Sequence, residues 1–139
     1  MTPRATERAR CARLIRESVS LLSSKWSVDV LLALGDGPRR YHELLGELDG
    51  ISEKVLTQTL RTMERDGLVH RHVHAEVPPR VEYTLSALGA TMAQPLRVLG
   101  SWQLRHGKRV EEARERFADR VAVQREQRES QRQRRAAAA

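Results

Sequence analysis

The chain has 139 residues, 40% of them hydrophobic and 4% aromatic, which allows one small core with an extension. A single cysteine excludes an internal disulfide and gives no sign of an oxidising compartment, and no apolar run approaches the ~20 residues of a membrane span, so the chain reads as cytoplasmic, with no membrane partner. The formal charge of +7 suits a polyanionic partner, but residues 107–139 hold +4 of it, so bulk charge alone is weak testimony for nucleic acid.

Residues 1–10 are polar and read as a flexible N-terminus, without the apolar core of a signal peptide. From Cys11 the residues Cys11, Leu14, Ile15, Ser18 and Leu22 follow a helical stripe, which Ser23-Ser24 ends. Lys25 to Leu34 starts a second helix, apolar nearly all round and therefore expected in the core. Gly35-Asp36-Gly37-Pro38 signals a turn. Tyr41 to Leu48 reads as a short helix with Leu44, Leu45 and Leu48 inward, and Asp49-Gly50 turns the chain into the next one.

That next helix is the centre of the sequence. Ser52 can cap its first turn and Gly67 can close it in the left-handed conformation. Leu56, Leu60 and Met63 share one face and must be buried. Counting about 100° per residue from Leu56, the side chains of Lys54, Gln58, Arg61 and Arg65 fall at roughly 140–200°, a row of three cations and one amide on the opposite side. Such a row is either an ordinary solvated face or a reading face. Leu68 to His74 and Arg80 to Leu85 then read as two strands, joined by a Pro78-Pro79 tip that no central strand could contain. A capped helix followed by a hairpin is the layout of a winged helix-turn-helix, with the helix in a major groove and the hairpin on the flanking backbone. The fold expected is mainly α with a small two-stranded β-wing and an extended C-terminal helix.

Beyond the hairpin, Ser86 can cap a helix whose stripe is Leu88, Met92, Leu96 and Leu99, with Trp102 three residues on. Pro95 should kink it or begin a second helix. This stripe is too apolar to stay wet, so a helix from Ser86 to about Gln103 is expected to pack across a two-fold axis, partly against the first helix of the other chain through Leu14. After Gly107, Val110, Ala113, Phe117 and Val121 form a narrow seam, while residues 124–135 lack any apolar side chain and should fray. The chain thus divides into residues 1–10, a DNA-binding and dimerisation domain over 11–106, and a charged helical extension over 107–139.

The strings Lys25-Trp26, Gly37-Pro38-Arg39-Arg40-Tyr41-His42-Glu43-Leu44, Gly50-Ile51-Ser52-Glu53-Lys54-Val55-Leu56-Thr57, Asp66-Gly67-Leu68-Val69, Val77-Pro78-Pro79-Arg80-Val81-Glu82-Tyr83 and Leu85-Ser86-Ala87-Leu88-Gly89, with Trp102, resemble the HxlR-type winged helix-turn-helix transcriptional regulators in order and spacing. The resemblance covers roughly Cys11 to Trp102. Tyr41 stands where the family usually has Phe, His74 where Tyr is common and Ser86 where Thr is usual; the tail after about Lys108 lies outside it. The resemblance implies a homodimer on a partly palindromic operator, DNA contact through the helix at 52–65 and the wing, and dimerisation through helices at both ends. It also implies control by a small electrophile or redox signal in some members.

The candidate DNA-binding residues are therefore Arg39, Arg40, Ser52, Lys54, Thr57, Gln58, Arg61, Arg65 and Arg80. Arg39, Arg40 and Arg80 can neutralise phosphate or be ordinary surface arginines, while Gln58 can pair with adenine and Arg61 or Lys54 with guanine. His70, His72 and His74 alternate on one side of a strand, but a metal site would bring a further short-spaced ligand, so a polar outer face is the reading and no metal or cofactor is expected. Cys11 lies beside Arg8, Arg10 and Arg13, which favours thiolate and a sensor role; its stripe partners Leu14 and Ile15 favour simple packing. No phosphate loop, carboxylate pair or nucleophile triad suggests an enzyme. The competing reading, a winged helix serving protein interaction or RNA binding, would show an apolar patch in place of the cationic row, or exposed aromatics for base stacking. Neither feature is in the sequence.

Overall fold

A computed structural model of the chain describes residues 2–22 and 24–139. They form α1 (Pro3–Ser20), α2 (Lys25–Gly35), β1 (Arg39–Arg40), α3 (Tyr41–Glu47), α4 (Glu53–Arg65), β2 (Val69–His74), β3 (Arg80–Leu85), α5 (Ala87–Thr91) and α6 (Ala93–Ala137). The chain divides into two compact units, residues 1–94 and 95–139. That division falls twelve residues before the boundary expected from the sequence.

In the first unit, α1 begins well before Cys11. Thr2 caps it, its Oγ1 accepting from the Ala5 N–H at 3.4 Å, and Pro3 takes the first helical position, where a missing N–H costs nothing. The segment 1–10, expected to be loose, is thus largely helical from Pro3 on. No residue of α1 is buried, and Leu14, Ile15 and Val19 are all exposed. Of the predicted Ser23-Ser24 break, Ser23 lies outside the described residues; Ser24 caps α2, its hydroxyl accepting from the Trp26 N–H at 3.2 Å.

The core forms where α2, α3 and α4 meet the sheet. Val30, Leu31 and Leu34 come from α2, Leu44 and Leu48 from α3 and its end, Leu56, Leu60 and Met63 from α4, Leu68 from the turn after α4, and Val69 and Tyr83 from the sheet. α2 is less enclosed than its composition suggests, because Leu32 is exposed. A part-buried polar link ties the cap of α2 to α4: the Ser24 hydroxyl and that of the buried Thr59 are 3.3 Å apart. Burying Thr59 costs little only because that partner is present.

The sheet has three strands, in the order β1-β3-β2, all antiparallel. The hairpin was expected, but β1 was not. Two residues are too few to show alternation, and β1 forms because the turn at Gly37 (φ 134°) lays Arg39 opposite Tyr83 and Arg40 opposite Glu82. After the hairpin, the expected single helix from Ser86 to Gln103 is two helices, α5 and α6, separated at Met92. Pro95 falls in the first turn of α6, where its missing N–H has no helical partner to lose.

Ser86 joins the end of α4 to the start of α5. Its N–H donates to the Leu68 carbonyl at 3.0 Å, its hydroxyl donates to the Gly67 carbonyl, and the same hydroxyl caps α5 by accepting from the Gly89 N–H at 2.9 Å. Gly89 packs so close to Leu68 that an added Cβ would collide with the Leu68 carbonyl oxygen.

The second unit consists of α6 from Pro95 on. Trp102 stacks obliquely on His106, with ring centroids 5.3 Å apart, and Gln103 covers the buried Gly107. Leu99, Trp102, Leu104 and Phe117 are exposed. The stretch 124–135, expected to fray, is helical and continuous to Ala137. Arg, Gln and Glu dominate it, and these are among the better helix formers, so propensity carries the helix where burial does not.

Candidate nucleic-acid interface

α4 is held at both ends by its own sequence. The Ser52 hydroxyl accepts from the Val55 N–H at 3.2 Å. At the other end Gly67 adopts φ 76°, its N–H donating to Glu64 at 3.1 Å while Leu68 donates to Met63 at 2.9 Å, the paired closure that only a left-handed residue permits. With Leu56, Leu60 and Met63 each about 1% exposed or less, the rotation of the helix about its axis is fixed. Lys54, Gln58, Arg61 and Arg65 are consequently all exposed, in one row. Arg65 also reaches Asp66 at 3.1 Å, so its charge is partly answered within the chain.

Tyr41, which sequence reasoning passed over as a mild departure, sits at the foot of this row. Its hydroxyl donates to the Glu53 carbonyl at 2.9 Å and lies 3.1 Å from the Thr57 hydroxyl oxygen. Because the phenolic proton goes to Glu53, Thr57 must donate its own proton to Tyr41. Thr57, exposed, therefore faces outward as an acceptor only. Tyr41, Lys54, Thr57, Gln58 and Arg61 line one shallow concavity.

The three candidate phosphate arginines differ. Arg39 is committed inside the protein: it pairs with Glu47 at 2.7 Å and donates to the Gly37 and Pro38 carbonyls. Arg80 lies between Glu76 (3.2 Å) and Glu82 (3.6 Å), with its Nε buried and unpartnered. Arg40 alone is exposed, and its backbone N–H is accepted by Glu43 at 2.8 Å, which opens α3. These commitments need the folded chain to appear, because each acid lies two to eight residues away across a turn or strand.

His70, His72 and His74 do share the outer face of β2, but they face different partners. His72 lies 3.2 Å from the Thr84 hydroxyl and His74 lies 3.4 Å from Glu82. Among the described residues no group of three or more His, Cys, Asp or Glu is placed to hold a metal. Cys11 is exposed and sits in the middle of α1, away from its N-terminus. Of the expected interface residues, Leu14, Leu88, Leu99 and Trp102 are exposed, while Met92 and Leu96 are half-buried.

The profile of HxlR-like helix-turn-helix proteins matches residues 21–111. The chain belongs to that family. Proteins similar to it include YtfH of Escherichia coli K12, named an uncharacterised HTH-type transcriptional regulator, 38% identical over 87 residues, which are 63% of this chain and 69% of YtfH. Among solved structures, a protein of Enterococcus faecalis V583 described as a MarR-family transcriptional regulator superposes with a TM-score of 0.67 at 39% identity, covering 73% of this chain and 92% of that one. The redox regulator HypR in its reduced form superposes with a TM-score of 0.66 at 30% identity, over 70% of this chain and 97% of HypR. The winged helix-turn-helix and its role in DNA-binding transcription regulation follow from this membership. The family profile stops at residue 111, so α6 from residue 112 on lies beyond it.

Proposed function

We propose that this HxlR-like protein is a sequence-specific regulator that acts as a homodimer on a partly palindromic operator, α4 of each copy entering a major groove. The observation that carries the reading is the exposed row Lys54, Gln58, Arg61 and Arg65, held at a fixed rotation by a capped helix with a fully buried opposite face. Gln58, Arg61 and Lys54 supply base contacts; Ser52, Thr57, Arg65 and Arg40 supply contacts around them, with Thr57 restricted to accepting. Arg39 and Arg80 act mainly inside the protein, since their guanidinium groups already face carboxylates. The apolar side chains left exposed on α1, α5 and α6 support assembly with a second copy. The exposed Cys11 thiol supports control by an electrophile or oxidant, and the likeness to a redox regulator supports the same reading.

Selection of bound sequences from a random duplex pool tests the function directly. A palindrome with half-sites one helical turn or a multiple apart is the expected result. Arg61→Ala should weaken binding to the selected site by about 1–3 kcal/mol and relax its sequence. A wild type that selects no consensus, or an Arg61→Ala variant that discriminates as the wild type does, refutes it.

A further inference from the structure

The distal part of α6 carries a charge pattern that no interaction within the chain absorbs. Arg125, Arg128, Arg132 and Arg135 follow one another at intervals of 3, 4 and 3. At about 100° per residue they fall within about 80° of arc, and at 1.5 Å per residue they span about 15 Å of helix. They line one shared surface concavity, together with Glu129 and Gln131. All four are exposed, and among the described residues none of them makes an ion pair within 4.0 Å. The two nearby acids, Glu126 and Glu129, lie to one flank of the row, at about 100° and about 40° from Arg125. Favourable contact with the helix C-terminus accounts for Arg134 and Arg135 in the last turn, but that effect dies out within one turn and does not reach Arg125 or Arg128.

We infer that this row is a second DNA-binding surface, which holds the phosphate backbone of duplex DNA without reading its sequence. The chemistry of the segment selects the partner. No apolar residue occurs between Gln124 and Arg135, so the segment has nothing to bury against another helix or to insert into a bilayer. It has no aromatic residue to stack on the bases of a single strand. What remains is a line of planar, permanently charged forks, the group that matches phosphate oxygens bidentately. The inference rests on the proposed function only in taking DNA as the partner. It does not require α4 to recognise an operator.

The test compares the full chain with a variant carrying Arg125→Gln, Arg128→Gln, Arg132→Gln and Arg135→Gln, and with the corresponding four Arg→Lys changes. Gln is a good helix former, and circular dichroism checks that helix content is kept. Affinity for a long random-sequence duplex is measured across a salt series. The Gln variant should bind about 10-fold or more weakly at low salt, with the slope of log affinity against log salt reduced by about 3, while the Lys variant keeps most of both. The sequence selected by α4 should not change. Equal slopes for wild type and Gln variant overturn the inference, as does a loss confined to single-stranded RNA or to vesicles containing phosphatidylserine. A Gln variant that loses helix is replaced as the arbiter by the Lys variant, whose weakened duplex binding at unchanged helix content would equally count against a charge-held backbone contact. If wild type selects no consensus but its duplex binding falls in the Gln variant, operator recognition fails and this inference stands. If wild type binds no duplex, both fail.

Discussion

Tyr41 shows how much a single hydroxyl can decide. It fixes the first turn of α4 to α3 and sets the polarity of Thr57. Tyr41→Phe should leave the fold intact, because the ring keeps its place, but it frees the Thr57 proton. The expected result is a loss of about 0.5–1.5 kcal/mol in stability, read by denaturant unfolding, and a change in preference at the base pair nearest Thr57, read by repeating the selection. An unchanged selection would mean that Thr57 does not reach the bases. Gly89 is a residue of the opposite kind, required for what it lacks. Gly89→Ala forces a methyl against the Leu68 carbonyl and should destabilise by about 1–3 kcal/mol, seen as a lower midpoint of unfolding. For Cys11, exposure makes the chemistry simple to probe. A quinone or peroxide should alter operator affinity in the wild type and leave Cys11→Ser unaffected; a response that persists in the mutant places the sensing elsewhere.

At the scale of elements, what was legible in the sequence follows from how local each signal is. α4 could be read in full, because Ser52, Gly67 and a Leu56–Leu60–Met63 stripe are short-range signals that need no partner. The hairpin was equally plain from two strand-like stretches on either side of a Pro-Pro tip. β1 was not, since its two residues become a strand only when β3 lies alongside. The early start of α1 was missed because Arg and Glu without an apolar stripe look like loose chain; the Thr2-Pro3 cap was the available signal. The length of α6 was missed for a related reason, helix content there resting on propensity rather than on burial. Within the candidate interface, the exposed row was legible from angle alone. The pairing of Arg39 with Glu47 and of Arg80 with Glu76 and Glu82 was not, since charge partners across a turn have no period.

At the scale of the molecule, assembly is the decisive property, because the proposed palindromic operator needs two copies. Leu99 is 64% exposed and Trp102 47%, more apolar surface than a small domain ordinarily leaves wet. The full chain should sediment as a dimer, and a Leu96→Glu/Leu99→Glu double mutant should not. A truncation after Arg105 should keep the dimer if these residues dominate, whereas its loss on truncation would move the interface to the seam of Val110, Ala113, Phe117 and Val121. A folded wild-type monomer that binds one half-site as well as two would refute the dimeric reading outright.

The Ser86 junction has a mechanical consequence for such a regulator. One hydroxyl and one amide clamp the exit of α4 to the entry of α5, and Gly89 leaves no slack between α5 and Leu68. A rotation of α5 would therefore be passed through this joint to the end of α4 rather than absorbed. Two copies joined through α5 would in this way have their reading heads geared together, so that a small twist in one element alters the span between half-sites.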